Sequence, residues 1–314
     1  MTLSKFLDPK NDVAFRQIFG TEAHKDLLIH FINDMLDLEG KEQIMEVDFI
    51  SPIQNPAISC KKESIVDVLC KDKTGTQIIV EMQVAPTKGF EKRAQYYASK
   101  AFVNQLNKGQ EADGQYENLK GVIFIAIVDY PIFPNKTDLK SEHVITDKKT
   151  HENDLKGLKF IFIALPNLNK NKVADLETVL EKWCYFFNYA EETSEADMAK
   201  IAASCKAIGE AYEAVNQFNW SEEQLMAYED EKKRIADNRS ALRYQLDEAK
   251  NEGMEQGRQE GIEKGIEQGI EKGIEKGIEK EKLNTAKNML ADNFDIEVIK
   301  KITGLSVDTI KALK

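Results

Sequence analysis

Two stretches of this chain, GVIFIAIV at 121–128 and KFIFIAL at 159–165, carry almost unbroken apolar runs. Strands wetted on one side alternate apolar with polar residues, whereas continuous runs fit strands covered on both faces. A sheet flanked by helices follows, and the class is α/β or mixed. Pro131, Pro134 and Pro166 punctuate the strand ends. Neither run approaches the ~18 uncharged apolar residues of a membrane span, so a soluble chain with no membrane partner is expected.

The remaining segments fill in the layers around that sheet. FLDPKNDVAFRQIFG opens with a turn at Asp8-Pro9, offers Asn11 or Asp12 as a helix cap, and then sets Val13, Phe15, Ile18 and Phe19 at helical spacing. A second helix after Thr21 turns Leu27, Leu28, Phe31, Ile32 and Met35 inward. VDFIS at 47–51 reads as a short strand, and GFEKRAQYYASKAFVNQLNK at 89–108 as a helix. With 314 residues the chain has room for one catalytic-sized domain plus appendages.

Cys60, Cys70, Cys184 and Cys205 are scattered, with no CxxC pair, and the opening residues hold no charged-then-apolar leader. A reduced, cytoplasmic protein is expected. His24, His30, His143 and His151 lack the HxxH or HxxxH spacing of zinc ligands. The net charge of −11 repels polyanions at long range, so any nucleic-acid binding must come from local patches or metal ions.

SIVDVLCKDKTGTQIIVEMQV, residues 64–84, holds two apolar runs joined by a polar turn, each with an acid at its middle, Asp67 and Glu81. Lys73-Thr74-Gly75 suits a three-residue hairpin loop with Gly75 in the left-handed position. That register sets Asp72 against Thr76 and Asp67 against Glu81. Opposed side chains there have Cβ atoms about 5 Å apart, and two carboxylates repel by about 3 kcal/mol at an effective dielectric near 20. A divalent cation between them relieves this, as does a strongly raised pKa on one acid. Mg²⁺ uses few carboxylates and keeps its waters. Strand alternation puts Gln83 on the face of Glu81, and Val80, Met82 and Val84 on the other. The same acids would also suit the solvated face of an edge hairpin, or a register one residue different.

On the following helix Arg93, Tyr97, Lys100 and Asn104 share one face. Beside a metal-bound phosphodiester this stripe would bind the backbone and stabilise developing charge; it would equally suit the polar side of an ordinary amphipathic helix.

From about residue 176 to 250 the pattern is helical and increasingly charged. Glycine then recurs at 253, 257, 261, 265, 269, 273 and 277. Each costs a helix about 1 kcal/mol relative to Ala, roughly 7 in all. The segment 251–282 is therefore either a flexible linker or a helix whose Gly stripe packs closely on another copy in a homo-oligomer. A period of four outruns 3.6 by about 40° per repeat, which gives such a pair a right-handed wrap. Residues 283–314 read as three short helices with Asp295 and Ser306 as caps and Gly304 in a turn, which is helix-turn-helix spacing. Nearly balanced charge leaves this unit open between DNA contact and a packing or partner-binding role.

In this order, DPKNDVAFRQIFG (8–20), IVDVLCKDKTGTQIIVEMQV (65–84) and KRAQYYASKAFVNQL (92–106) resemble the PD-(D/E)XK-type recombination-promoting nucleases, often labelled transposases. The resemblance implies a restriction-endonuclease-like core over 1–190, a mixed central sheet flanked by helices, with an α-helical C-terminal extension of which 191–250 is the first part. It implies hydrolysis of DNA phosphodiester bonds with Mg²⁺ or Mn²⁺, tied to recombination or mobile elements. Asp67 falls on the motif's Asp, Glu81 on its (D/E), and Gln83 where the general motif has Lys. On this reading Asp67 and Glu81 hold the metal, Gln83 orients the attacking water, Arg93, Tyr97 and Lys100 hold the scissile phosphate, and Lys100 or Arg93 supplies the charge that Gln83 lacks. Asp12 falls on an acidic position of the family's N-terminal segment and is a third candidate metal ligand, or else a helix cap; Lys10 is a lesser candidate. The rival expectation is a DNA-binding or oligomerising protein that keeps the fold and has lost the chemistry.

Overall fold

A computed structural model describes residues 4–54, 64–106 and 116–313. They fall into two compact units, Met1–Ile235 and Ala236–Lys314. Cys60 lies outside the described residues, as do 107 and 108 at the end of the helix expected over 89–108.

The first unit opens with helices α1 (Asp12–Phe19) and α2 (Lys25–Leu36), followed by strands β1 (Val47–Phe49), β2 (Ile53–Gln54), β3 (Ser64–Ile65), β4 (Val68–Asp72) and β5 (Gln77–Gln83). Helix α3 (Phe90–Val103), strands β6 (Val122–Val128), β7 (Lys140–Val144) and β8 (Leu158–Ala164), and helices α4 (Val179–Tyr189), α5 (Glu195–Ser204) and α6 (Lys206–Ala214) come next. Helix α7 runs Glu222–Ala291.

Six strands form one sheet in the order β1-β4-β5-β6-β8-β7. β6 lies parallel to both β5 and β8, and the outer pairings are antiparallel. β5, α3 and β6 thus make a crossover unit that lays α3 on one face. That face carries Leu69, Ile79, Phe124 and Ala126 against Ala94, Ala98 and Ala101 of α3. On the opposite face Val68, Cys70, Ile78, Val80, Ile125 and Ile127 join a larger core with Phe15, Phe19, Phe31, Trp183 and Phe187 from α1, α2 and α4. Both continuous apolar runs therefore lie between helical layers, as their lack of alternation requires.

The hairpin adopts the register expected from its turn. The β4–β5 ladder runs from Lys71↔Gln77 to Val68↔Val80, and the Asp72 N–H donates to the Thr76 carbonyl at 3.0 Å. Gly75 has φ +89°, and a Cβ there would come within 3.0 Å of Lys120 Cγ. Asp67 differs in one respect from a ladder residue: it sits in a bend between β3 and β4, one step outside the paired rungs. The hairpin is not at an edge, since β1 flanks β4 and β6 flanks β5.

In the second unit the Gly repeat is helical throughout, as part of α7. An added Cβ at any of its seven glycines would meet nothing within 4 Å. Helices α8 (Ile296–Thr303) and α9 (Val307–Lys311) follow, capped by Asp295 and Ser306, with Gly304 at φ +72° between them. Ala286, Ile299 and Ile310 form the small core. The first of the three short helices expected here is the C-terminal end of α7, because the chain from 251 to 291 contains no breaker stronger than glycine.

Candidate active site

At the bend each acid accepts a backbone N–H from the opposite segment instead of merely opposing the other acid. The Asp67 N–H donates to Glu81 Oε2 at 3.2 Å, and the Met82 N–H donates to Asp67 Oδ2 at 2.9 Å. Glu81 is 7% exposed, and the Asp67 side chain 11%. The solvated-face alternative therefore fails.

Two guanidinium groups face the remaining oxygens. Arg93 Nη2 lies 3.6 Å from Glu81 Oε1, and Arg16 Nη2 lies 3.4 Å from Asp67 Oδ1. These cations only partly compensate. Burial, followed by the charge of Asp67, pushes the Glu81 carboxyl up to about 8, and burial likewise raises Asp67. Asp12 is raised as well, first by burial and then by Asp67.

The other expected residues take distinct places. Gln83 Oε1 accepts from Arg93 Nη2, and Gln83 Nε2 donates to the Ala85 carbonyl at 2.7 Å and Thr87 Oγ1 at 3.1 Å. The Arg93 guanidinium lies 5.8 Å from the centre of the Tyr97 ring and 4.8 Å from that of Phe90. Lys100 is half-buried on α3, seven residues beyond Arg93, and Asn104 caps the C-terminus of that helix. Asn11, not Asp12, caps α1, accepting from the N–H groups of Val13 and Ala14. Asp12 instead is the first helical residue, with its carboxylate 4.0 Å from Arg234 Nη2. Lys10 pairs with Asp129 at 2.8 Å, and the Asp129 N–H donates to the Gln83 carbonyl at 3.0 Å.

Sequence reasoning missed Arg16 and Arg234. Arg16 stands on the polar side of α1 and reaches Asp67, 51 positions further along the chain. Arg234 comes from α7, held by Glu231 at 2.8 Å. No local pattern marks either one, because only the packing of α1 and α7 brings them to the acids.

The donor set fits a hard divalent cation: two buried carboxylates short of positive charge, with a third acid in their field. Among the described residues no group of three or more His, Cys, Asp or Glu side chains is placed to hold a metal. A two-carboxylate arrangement of this kind suits Mg²⁺, which fills its remaining positions with water and substrate oxygens.

A mixed sheet with helices on both faces, whose central hairpin bears buried acids met by arginines from α1 and α3, fits the PD-(D/E)XK class of α/β fold. Residues 9–245 match the model of the PD-(D/E)XK nuclease family transposase, and the chain belongs to that family. Residues 279–314 match the C-terminal HTH domain of the Rpn/YhgA-like nuclease family. No curated protein and no solved structure gives a significant match.

Proposed function

We propose that this protein is a divalent-metal-dependent DNA endonuclease that hydrolyses phosphodiester bonds in DNA recombination or the movement of mobile elements. The observation that carries the reading is the buried Asp67–Glu81 pair, each acid tied to the other strand's backbone and faced by a guanidinium. Two buried acids side by side are costly to ionise together, and a divalent cation held between them would favour the ionised pair.

Asp67 and Glu81 would hold Mg²⁺ or Mn²⁺, with Asp12 acting directly or through water. The ion, when bound, supplies a nucleophilic water at neutral pH and Lewis-acid stabilisation of the phosphoryl oxygens. Arg93, Tyr97 and Lys100 on α3 hold the scissile phosphate, and Arg16 adds charge from the other side. The HTH match supports contact with DNA by the C-terminal residues, and the open Gly and Ile stripes of α7 support self-association through 251–282. Free thiols at Cys70, Cys184 and Cys205 agree with a reducing, cytoplasmic setting. Among the described residues no helix is long and apolar enough to cross a membrane.

The test is nicking of supercoiled DNA by wild type, Asp67→Ala and Glu81→Ala, with Mg²⁺ and with EDTA. Wild type nicks only with Mg²⁺, and both variants fall to background. Equal cleavage by all three removes the assignment; DNA binding without cleavage under any divalent ion moves the protein to a non-catalytic role on the same fold.

A further inference from the structure

The puzzle of Gln83 is that a neutral amide sits where the site needs a positive charge. Its surroundings resolve this. Both N–H donors of the Gln83 amide are spent in the turn that follows β5, on the Ala85 carbonyl at 2.7 Å and Thr87 Oγ1 at 3.1 Å. That fixes which way the amide faces, and its oxygen is turned to α3, where it accepts from Arg93 Nη2. The same guanidinium nitrogen lies 3.6 Å from Glu81 Oε1. Phe90 and Tyr97 flank the guanidinium, so the group is held by a hydrogen bond, a charge and two rings.

Side-chain chemistry explains why glutamine suits this place. Lysine has no acceptor to offer Arg93 and would repel it, while glutamate has no donors for the turn and would add a further acid. The amide alone, at that reach, donates on one side and accepts on the other.

One part of Arg93 is left over. Its Nε–H is buried without a hydrogen-bond partner among the described residues, and so is the hydroxyl of Tyr130, whose pKa burial raises and the Arg93 charge lowers in part. Buried donors on a charged group are seldom left unpaired.

We propose that Gln83 is a positioning residue that holds the Arg93 guanidinium beside Glu81, so that the cation of this site is delivered from α3 and the exposed part of the guanidinium faces a phosphate of DNA. This rests on the nuclease reading, and deepens it by moving the expected role of Gln83 from water orientation to the placing of Arg93.

The test uses the full chain as wild type, Gln83→Met, Gln83→Asn, Arg93→Met and the double variant Gln83→Met/Arg93→Met, with two readouts. In Mg²⁺, each single change lowers the nicking rate by about 10–100-fold, and the double variant is no slower than Arg93→Met. Independent additive losses overturn the proposal, because Gln83 would then act without Arg93. The second readout needs no cleavage: the side-chain Nε–H resonance of Arg93 is followed by NMR in EDTA while a short duplex oligonucleotide is added. Wild type shows a resolved signal that moves on DNA addition, and Gln83→Met and Gln83→Asn lose that response. If wild type does not nick but the resonance behaves so, the nuclease reading fails and the positioning role stands. An Arg93 signal that responds equally in wild type and both Gln83 variants overturns it, whatever the nicking assay shows.

Discussion

Gly75 and Gly265 are the same residue set in opposite surroundings. At Gly75 the backbone turns with φ +89° and an added Cβ would crowd the Lys120 side chain; the glycine has a local reason, and it sets a register that brings two acids together. At Gly265 the backbone is helical and an added Cβ would meet nothing within 4 Å. Around it Ile262, Ile266, Ile270, Ile274 and Ile278 are all exposed. In the hairpin, the backbone donors and guanidinium groups that face the two acids come from the same unit. In the repeat, the roughly 7 kcal/mol of glycine cost is met only by exposed ion pairs such as Arg258–Glu255 and Lys264–Glu260 among the described residues, and the proposed self-association would give the glycines their rationale.

That contrast can be broken in three ways. The largest effect is on packing: Phe124→Ala in the sheet should cost about 3–5 kcal/mol, while Ile270→Ala on α7 should change stability by no more than about 0.5 kcal/mol. Denaturant unfolding followed by tryptophan fluorescence reads the first unit selectively, since Trp183 and Trp220 both lie in it. Comparable losses for the two variants would mean that the repeat is covered after all.

A second test concerns charge. The Glu81 carboxyl is held at about 8 in the folded chain against an ordinary 4.5, so between those values the folded state binds more protons than the unfolded. Its contribution to stability is complete below about pH 4.5 and is lost as pH rises through 8. Glu81→Gln should therefore melt above wild type in EDTA, with the gap widening across that window; a gap that stays constant with pH removes the buried-acid account.

The smallest effect has the sharpest sign. Gly265→Ala should stabilise an isolated helix by about 1 kcal/mol, and should weaken self-association if the stripe packs closely on another copy. Thermal melts by far-UV circular dichroism at low protein concentration, and sedimentation at high concentration, separate the two. A variant that associates as tightly as wild type takes the Gly stripe out of the interface.

Much of the core was legible because its causes are local. The runs that become β6 and β8 lack alternation since both faces are covered, and the turn at Gly75 fixed the ladder of β4 and β5 down to the rung. The bend that takes Asp67 out of the ladder was not legible, since it depends on the Glu81 side chain accepting a backbone N–H that a neighbouring strand would otherwise take. β7, with the sequence KSEHV, has too few apolar residues to announce a strand and exists because β8 offers it a partner. Arg16 and Arg234 were invisible for a related reason: an arginine on the polar side of a helix reads as solvated until the fold sets an acid against it.

The modest sequence of β7 has its own consequence for solubility. It forms one border of the six-stranded sheet, where unpaired backbone groups invite an incoming strand. Lys140 pairs with Asp37, and Glu142 is bridged to Lys159 at 2.8 Å. A border armed with charges on both its chain and its neighbour is a poor template for edge-to-edge pairing, which protects the folded core from aggregation.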